Sequence, residues 1–340
     1  MSTAAGHSYK DAGVDLDASQ RVKQRIKSIA ASTLGPAVLS GVGGFAALYE
    51  LSGYREPVLV SSTDPVGTKL KVAATMGRFD SIGIDLVNAC INDVIVCGAR
   101  PLFFLDYIAT SKLEPEVVET LLTGMATACR DADCALIGGE TSEMPGVFGD
   151  GSFDVSGFIV GVVEKADIID GSQVRAGDVL LGIPSNGLHT NGYSLVRHVF
   201  GLDDDPTPLY EHRPELGETL GDALLRPHPS YYHVLRQALP LLKAVAHITG
   251  GGLVENVPRV LPEGLAARLD RKAWQTPPIF ATIQSRGEIT DGEMFRVFNM
   301  GLGMVLACDL SKADLVIENI PSALVVGQVV GAQDERRVIL

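Results

Sequence analysis

The stretch VLVSSTDPVGTKL, residues 58–70, decides the fold class of the first half of the chain. An apolar run stops at Asp64, and a proline, a glycine, Thr68 and Lys69 follow. The pattern predicts a strand over 57–63, and open α/β sheets place ligands beyond the carboxyl ends of their strands. The sequence thus predicts a phosphate-and-metal site, although nothing matches the P-loop pattern GxxxxGK[ST]. A polar turn between two strands is the alternative interpretation.

The rest of the first half alternates between helical and strand patterns around this stretch. Periodicity predicts helices over 21–32, 80–97 and 115–132, and strands over 101–109, 135–137 and 154–163. A polar connection at 163–177 leads into a second half with strand–loop–helix units at 180–200 and 246–260 and a surface loop at 201–214. Two α/β-type domains are the prediction.

Composition excludes several classes of function. The 340 residues include 41 acidic and 28 basic ones, and a net charge of −13 argues against binding to nucleic acid or to an anionic membrane. No segment approaches the ~20 apolar residues of a membrane span, and the N-terminus lacks a signal-peptide pattern, so we expect a cytoplasmic protein. The five cysteines form no CxxC pair, which argues against a cysteine-based zinc site and favours reduced thiols.

The segment DSIGIDLVNACINDVIVCG, residues 80–98, carries acids and amides without a nearby cation. On a helical wheel one face holds apolar side chains, and the other holds Asp85, Asn88 and Asn92, with Asp93 at its margin. No basic residue occurs between Arg78 and Arg100. Hard oxygen ligands of this kind suit Mg²⁺, so the stripe predicts a metal site. A solvated helix face is the alternative.

A third acid follows a short apolar strand in CALIGGETSEMPG, residues 134–146. The pattern predicts that this strand ends at Gly138 and Gly139, which allow a ligand or another backbone to come close. Glu140 would then stand at the end of a strand, as Asp64 does. The motif is weak when taken singly.

A glycine-rich stretch, SGVGGFAALYE, offers a rival interpretation. Gly41, Gly43 and Ala46 fit the dinucleotide fingerprint, and Asp64 follows at about the expected ~20 residues, so a nicotinamide-dependent dehydrogenase is an alternative. The preceding strand and the following helix, 45–51, are both short for that motif. A flexible loop over phosphates, 41–44, fits better, and a plain turn before a strand is the simplest interpretation.

Two glycine-rich helix entrances occur in the second half, and such entrances are ready anion sites. IPSNGLHTNGYSLVRHVF places His189, Thr190 and Asn191 before one helix, and AHITGGGLVENVPRVL places His247 and Thr249 before another, which three glycines open. We interpret His189 and His247 as candidates for substrate contact or proton transfer. Isolated histidines are more often packed or superficial, an interpretation that we give to His198, His212 and His233.

Many blocks in order along nearly the whole chain identify a family that the sequence closely resembles. They are SYKDAGVD (8–15), GGF (43–45), YREPVLVSSTD (54–64), VGTKL (66–70), GIDLV (83–87), PLFFLDYIAT (101–110), GGETSEMPG (138–146), GFIVGVVEK (157–165), HTNGYSLVR (189–197), HITGGG (247–252), ENVPRVLP (255–262) and FNMGLGM (298–304). The family is phosphoribosylformylglycinamidine cyclo-ligase, or aminoimidazole ribonucleotide synthetase.

The resemblance implies an activity and an architecture. Such enzymes use ATP and Mg²⁺ to phosphorylate the formyl oxygen of formylglycinamidine ribonucleotide, and an internal nitrogen then displaces phosphate to close the imidazole ring. It also implies an α/β (α+β) fold of two domains, 1–168 and 169–340. The first binds ATP and contributes a β-barrel at a homodimer interface, and the second, an α/β sandwich-like domain, contributes to the substrate site.

The resemblance also implies residue roles by position. Asp64, Asp93 and Glu140 would hold Mg²⁺ and the ATP phosphates. Lys10 and Lys69 would neutralise phosphate charge, and Lys69 joins His189 and His247 as a catalytic candidate. The remaining nucleotide contacts would be Gly43, Gly44, Thr68 and Gly139, and the remaining ribonucleotide contacts would be Thr190, Asn191, Thr249, Gly250 and Gly251.

Two departures from the family pattern fall beside this site. Pro65 stands where the pattern has glycine, which removes an N–H donor, and Ala46 replaces another glycine and should stiffen the loop. Neither changes a proposed ligand side chain. A related ATP-dependent kinase or synthetase and a non-catalytic nucleotide-binding module are the remaining alternatives.

Overall fold

The computed structural model describes residues 16–149 and 151–340, with side chains from residue 24 onward. The helices are α1 Leu16–Ala31, α2 Lys69–Met76, α3 Ile82–Ile95, α4 Pro115–Asp131, α5 Tyr193–Phe200, α6 Leu220–Leu224, α7 Tyr232–Leu235, α8 Gly252–Asn256, α9 Pro278–Gly287, α10 Asp291–Val297 and α11 Ala313–Asn319. The strands are β1 Pro57–Pro65, β2 Arg100–Thr110, β3 Ala135–Glu143, β4 Phe153–Glu164, β5 Val179–Pro184, β6 His212–Arg213, β7 Glu218–Thr219, β8 Ala244–His247, β9 Leu265–Leu269, β10 Leu302–Cys308, β11 Leu324–Gly331 and β12 Val338–Ile339.

A four-stranded sheet organises the N-terminal half, in the order β1-β4-β2-β3. Strand β4 is antiparallel to both neighbours, and β2 and β3 are parallel. Helix α3 packs against β1, β4 and β2, and helix α4 packs on α3. The opposite face of the sheet leaves Leu59 61% and Phe158 46% exposed. The sheet therefore has one face covered by helices and one open apolar face.

The predicted elements of this half are confirmed, with two corrections. Helix α3 begins at Ile82, with Ser81 at its N-cap position, and not at residue 80 as predicted. Strand β3 does not stop at the glycines but runs on to Glu143. The strand continues because it pairs with β2 as far as Glu143. Gly139 is required by its neighbour in that pairing, since a Cβ at Gly139 would overlap Oδ1 of Asp106.

A six-stranded sheet organises the C-terminal half, in the order β12-β9-β11-β5-β10-β8. Its pairs are antiparallel except for β12 with β9. Both predicted strand–loop–helix units are confirmed, as β5 leads to α5 and β8 leads to α8. The predicted surface loop 201–214 instead contains a short 3₁₀ helix, Thr207–Tyr210, and strand β6, which pairs with β7. None of the described helices combines the length and apolar character needed to cross a membrane.

Gly157 shows how closely α3 lies against the sheet. It pairs with Asp64 on one side and with Asp106 on the other. A Cβ at this position would overlap Cζ of Phe104 and lie 3.2 Å from Cγ of Leu86. We therefore expect Gly157→Ala to lower the free energy of unfolding by about 1–3 kcal/mol through overpacking, measured by urea unfolding.

The matched control is Gly138→Ala in the same sheet. A Cβ there would meet Cδ2 of Leu105 at 3.5 Å, an ordinary contact distance. Its expected effect lies within about 0.5 kcal/mol of the parent protein. Equal losses in the two variants would contradict the close packing of α3 at Gly157.

Candidate active site

Two of the predicted metal ligands lie side by side. Asp64 is the penultimate residue of β1, and Asp93 lies near the end of α3, which packs on that strand. Burial, the charge of Asp93 and a hydrogen bond to it raise the pKa of Asp64 to about 7. Burial by itself would also raise the pKa of Asp93, but hydrogen bonds from His247 and Ser62 outweigh it and lower that pKa. Two buried carboxyl groups thus lie in contact, and a cation beside them would allow both to ionise.

Asp93 links this cluster to the C-terminal half. Its Oδ1 lies 2.8 Å from Nδ1 of His247, at the end of β8, and its Oδ2 accepts a hydrogen bond from Oγ of Ser62 at 2.9 Å. Since the carboxylate can only accept, Nδ1 of His247 carries a proton and donates it to Asp93. A predicted nucleotide ligand and a predicted substrate residue thus contact each other directly.

Glu140 does not join these two acids within one chain. Strand β1, with Asp64, and strand β3, with Glu140, are the opposite edges of the sheet. Three strand spacings, about 14 Å, separate them. The register also pairs Glu140 with Tyr107, one residue away from the row that joins Asp64 to Gly139, so its side chain points to the other face. The predicted three-carboxylate metal site is wrong for Glu140 in a single chain.

The Asp and Asn stripe on α3 has a different role from the predicted one. Asp85 is fully buried, and its Oδ2 lies 2.7 Å from Nζ of Lys69. Nδ2 of Asn88 donates to the His228 carbonyl at 2.8 Å, and Nδ2 of Asn92 donates to the Pro229 carbonyl at 2.9 Å. The stripe is the surface on which the segment 226–231 of the C-terminal half packs, and Lys69 supplies the missing cation.

Lys69 is accordingly not available in this structure to neutralise phosphate. Its side chain is fully buried, and besides the ion pair its Nζ donates to the Arg226 carbonyl at 2.8 Å. Burial lowers the pKa of Lys69, and the charge of Asp85 opposes that shift. Burial also raises the pKa of Asp85 to about 6, and the ion pair again works against the shift. We therefore no longer assign Lys69 to the nucleotide or to catalysis, and assign it to the contact between the two halves.

The two glycine-rich helix entrances lie next to each other. A Cβ on Gly250 would lie 3.3 Å from Oδ1 of Asn191. Oγ1 of Thr68, just before α2, lies 3.0 Å from Oγ of Ser194 in the first turn of α5. Thr68 and both loops therefore lie together where the two halves of the chain meet. His189 is buried there with a positive φ of 60°, and Thr190 is half-buried beside it.

Two glycines of the second entrance are required by contacts within the protein. A Cβ on Gly252 would overlap the Phe295 carbonyl, and one on Gly251 would meet Glu255. Nδ2 of Asn256 donates to the carbonyls of Thr249, Gly250 and Gly252 and holds the loop closed. Helix α10, and not a ligand, therefore lies against the backbone of Gly252.

The remaining predicted nucleotide contacts are placed as follows. Gly43 and Gly44 lie in an irregular loop, and residues 45–51 form no helix, so the strand–turn–helix of the dinucleotide motif is missing from this segment. A Cβ on Gly43, whose φ is 117°, would lie 2.8 Å from Cε of Lys27. Lys10 lies outside the described residues. The covering role of the loop and the role of Lys10 stay predictions.

Two buried residues with polar side chains escaped the sequence analysis. His228 is fully buried, its ring stacks on His189 at 4.0 Å between centroids, and its Nε2 lies 3.3 Å from Nε2 of His247. Asp106 is buried below Gly139, and burial raises its pKa to about 7. His228 stands in RPHPSYY, with no glycine-rich entrance to mark it, and Asp106 stands inside an apolar strand pattern.

Comparison with known families decides where this architecture belongs. The AIR synthase related protein models match both halves, the N-terminal domain over residues 43–163 and the C-terminal domain over residues 175–339. A phosphoribosylformylglycinamidine cyclo-ligase of Desulfitobacterium hafniense is 50% identical over 97% of this chain and 98% of its own length. The chain belongs to the phosphoribosylformylglycinamidine cyclo-ligase family. Relatives of the same name from Thermoanaerobacter pseudethanolicus, over 98% of this chain and 99% of theirs, and from Xanthomonas euvesicatoria, over 97% and 98%, are each 48% identical.

Solved structures of other proteins share the fold of this family member. Thiamine-monophosphate kinase from Stenotrophomonas maltophilia superposes with a TM-score of 0.67 at 18% identity, over 92% of this chain and 94% of the kinase. Hydrogenase maturation protein HypE in complex with ATP gives 0.67 at 16%, over 94% of this chain and 90% of HypE. At these identities the likeness establishes the mixed α/β, two-domain fold alone.

Proposed function

We propose that this chain catalyses the ATP-dependent ring closure of formylglycinamidine ribonucleotide to aminoimidazole ribonucleotide, with release of ADP and phosphate, in purine biosynthesis. Curated relatives at about half identity over nearly the full length carry this activity in their name, and the family models match both domains. The structure of HypE in complex with ATP, a protein of the same fold, supports nucleotide binding.

The acidic cluster fits a magnesium–nucleotide complex. Asp64 and Asp93 are hard oxygen donors, and the raised pKa of Asp64 indicates an unmet need for positive charge beside them. We propose that these two carboxylates hold Mg²⁺, which when bound would neutralise phosphate charge, and that Thr68, Gly43 and Gly44 contact the nucleotide. Glu140 and Gly139 are not part of that set in one chain.

The C-terminal side of the cleft fits the ribonucleotide. Thr190, Asn191, Thr249, Gly250 and Gly251 lie on the two adjoining loops and offer hydroxyl, amide and backbone N–H donors for a phosphate and a ribose. Holding both ends of the substrate here would bring its amine close to the activated carbon, a proximity effect worth several orders of magnitude in rate. His189 comes directly before Thr190 in one of these loops, and His247 ends the strand β8 that leads into the other.

The hydrogen bond between Asp93 and His247 carries this proposal. It orients the imidazole with a proton on Nδ1 and leaves Nε2 as the ring nitrogen for proton transfer with the substrate. His247, the group proposed for proton transfer, is thus held by Asp93, a proposed ligand of the magnesium–nucleotide complex. Phosphoryl transfer followed by cyclisation requires the nucleotide-binding and ribonucleotide-binding residues to lie next to each other in this way.

Ribonucleotide-dependent turnover tests the proposed function directly. Purified protein is incubated with Mg²⁺ and ATP, with and without formylglycinamidine ribonucleotide, and ADP and aminoimidazole ribonucleotide are quantified together. We expect ADP release only with the ribonucleotide, in a one-to-one ratio with ring-closed product. ADP release when thiamine monophosphate replaces the ribonucleotide would instead favour the related kinase, and ATP binding without any product would favour the non-catalytic module.

We further propose the domain limits, the assembly and the location of the protein. The boundary at 168/169 falls between the two family matches, which end at 163 and begin at 175. The open sheet face, where Leu59 and Phe158 are exposed, is suited to pair with a second copy and to form the β-barrel of a homodimer. A cytoplasmic location accords with the acidic composition and with cysteines in the reduced form.

The homodimer gives a specific expectation for Leu59→Glu. A carboxylate on the open sheet face would have to be desolvated on pairing, so the dimer dissociation constant should rise at least about 30-fold. Sedimentation equilibrium measures it. Leu310→Glu is the matched control, since Leu310 is 72% exposed but lies in the C-terminal half. Dimers of equal strength in both variants would place the interface elsewhere.

A further inference from the structure

Three polar residues of α3 converge on a single residue of the C-terminal half, His228. The His228 backbone N–H donates to Oδ1 of Asp85 at 2.7 Å, and its carbonyl accepts from Nδ2 of Asn88 at 2.8 Å. Nδ2 of Asn92 lies 3.1 Å from Nε2 of the His228 ring. All four residues are buried, and His228 itself is 0% exposed. The polar stripe of α3 therefore fixes both the backbone and the ring of His228.

The amide of Asn92 determines how the ring of His228 is held. Its Oδ1 accepts the Tyr231 backbone N–H at 2.9 Å, so its nitrogen lies toward the Pro229 carbonyl, 2.9 Å away, and toward Nε2 of His228. Since an amide nitrogen can only donate, Nε2 of His228 is the acceptor of that bond. The bond restrains rotation of the imidazole, because turning the ring would leave the Asn92 amide without its second acceptor.

The face of this ring contacts a residue of the proposed substrate site. The rings of His189 and His228 stack nearly parallel, with an interplanar angle of 12° and 4.0 Å between their centroids. Nε2 of His189 lies 3.4 Å from the hydroxyl oxygen of Tyr231, whose backbone N–H is bound by Asn92. The imidazole of His189 is thus held on its face by His228 and at its edge by Tyr231, and both of these neighbours are held by α3.

Stability alone does not account for a histidine at position 228. Nδ1 of His228 and Nδ1 of His189 are buried without a hydrogen-bond partner among the described residues. A buried polar atom left without a partner costs about 1–3 kcal/mol. An apolar side chain at position 228 would avoid that cost, and departures of this kind from stable packing are typical of functional sites.

We propose that His228 is a positioning residue for ring closure, whose flat ring holds the imidazole of His189 in one orientation toward the ribonucleotide. This role rests on the proposed function, in which His189 is a candidate for substrate contact or proton transfer. Because α3 belongs to the N-terminal half and His189 to the C-terminal half, His189 would be oriented only when the two halves are packed together. Displacing such a group by about 1 Å can cost about 100-fold in rate.

Two substitutions separate the stacking ring from its hydrogen bond. His228→Leu and His228→Phe both remove the acceptor of the Asn92 bond, but only phenylalanine offers a flat face to His189. We expect kcat/KM for ring closure to fall about 100-fold in His228→Leu and less than about 10-fold in His228→Phe. Equal losses in the two variants would overturn the proposal. The matched control is His198→Leu, at an exposed position of α5, which should retain the parent activity.

A double-mutant cycle shows whether His228 acts through His189. In a His189→Asn background, adding His228→Leu should lower kcat/KM by less than about 3-fold more, because the group to be oriented is already gone. An undiminished loss of about 100-fold in that background would contradict the proposal. It would mean that His228 acts through another neighbour, such as His247, whose Nε2 lies 3.3 Å from Nε2 of His228. If circular dichroism shows His228→Leu unfolded, His228→Gln takes its place, since glutamine can still accept the Asn92 bond.

An NMR measurement on the full-length protein without substrate tests the stacking by itself. Labelling the seven histidines with ¹³C at the ring gives resolved proton signals, and those of His189 are identified by their absence in His189→Asn. A proton over the face of an aromatic ring is shifted upfield. We expect the His189 signals to lie upfield in the parent protein and in His228→Phe, and to move downfield in His228→Leu. Unchanged signals in His228→Leu would show that the rings do not stack. Stacked rings in a protein without ring-closing activity would instead count against the proposed function and leave the contact between the two histidines established.

Discussion

Asp64→Asn is expected to lower the rate of ring closure about 100- to 1000-fold, the usual cost of removing one electrostatic stabiliser of a transition state. The same substitution should raise the melting temperature of the free protein at pH 8. Asparagine resembles the protonated acid, since its amide can donate to Asp93 as the Asp64 carboxyl proton does, but it never carries the second negative charge. Activity and stability should therefore change in opposite directions, as expected of a cation site.

The pH dependence of the stability gain follows from the sign of the pKa shift. Burial and Asp93 raise the pKa of Asp64 from an ordinary 3.8 to about 7, so the folded protein holds this proton more tightly than the unfolded chain. Stability is therefore lost as the pH rises from about 4 to about 7. The advantage of Asp64→Asn should be largest at pH 8 and shrink as the pH is lowered to 5, in thermal unfolding at each pH.

Magnesium gives a further readout that does not depend on turnover. Mg²⁺ with a non-hydrolysable ATP analogue should raise the melting temperature of the parent protein by mass action, and this rise should be lost in Asp64→Asn. Asp80→Asn is the matched control, because Asp80 is an exposed acid just before α3. Loss of activity with an undiminished magnesium response would show that Asp64 acts in some other way.

Local sequence patterns predicted the elements around this pair well. A strand leading to Asp64 and a helix carrying Asp93 follow from apolar periodicity over short segments, and both are confirmed. The predicted end of β3 was wrong because two consecutive glycines are typical of a strand terminus. Gly139 instead makes room for Asp106, a neighbour 33 residues earlier in the chain. A glycine indicates a close approach but does not identify what approaches.

The same limit explains the interpretation of the polar face of α3. The wheel correctly separated Asp85, Asn88 and Asn92 from the apolar face, yet it holds no information about what covers them. The covering segment lies some 140 residues later, and its carbonyls and the His228 N–H form hydrogen bonds with these side chains. His228 was missed for the same reason, since its partners come from distant parts of the chain.

The sequence and the structure assign different roles to Lys69, and a substitution can distinguish them. If its ammonium neutralises phosphate, Lys69→Met should abolish activity and leave stability nearly unchanged. If it is the partner of Asp85, the variant leaves a carboxylate buried without a counter-charge. We expect the second result, a loss of about 3–5 kcal/mol in the free energy of unfolding, measured by urea denaturation.

A second substitution should recover most of that loss. In Lys69→Met/Asp85→Asn the buried charge is gone, and the asparagine oxygen can still accept the His228 backbone N–H, which lies 2.7 Å from Oδ1 of Asp85. Lys71→Met, on an exposed position of the same helix, should change stability by less than about 0.5 kcal/mol. A double variant no more stable than Lys69→Met would mean that the ammonium's hydrogen bond to the Arg226 carbonyl, and not the charge pair, holds the halves together.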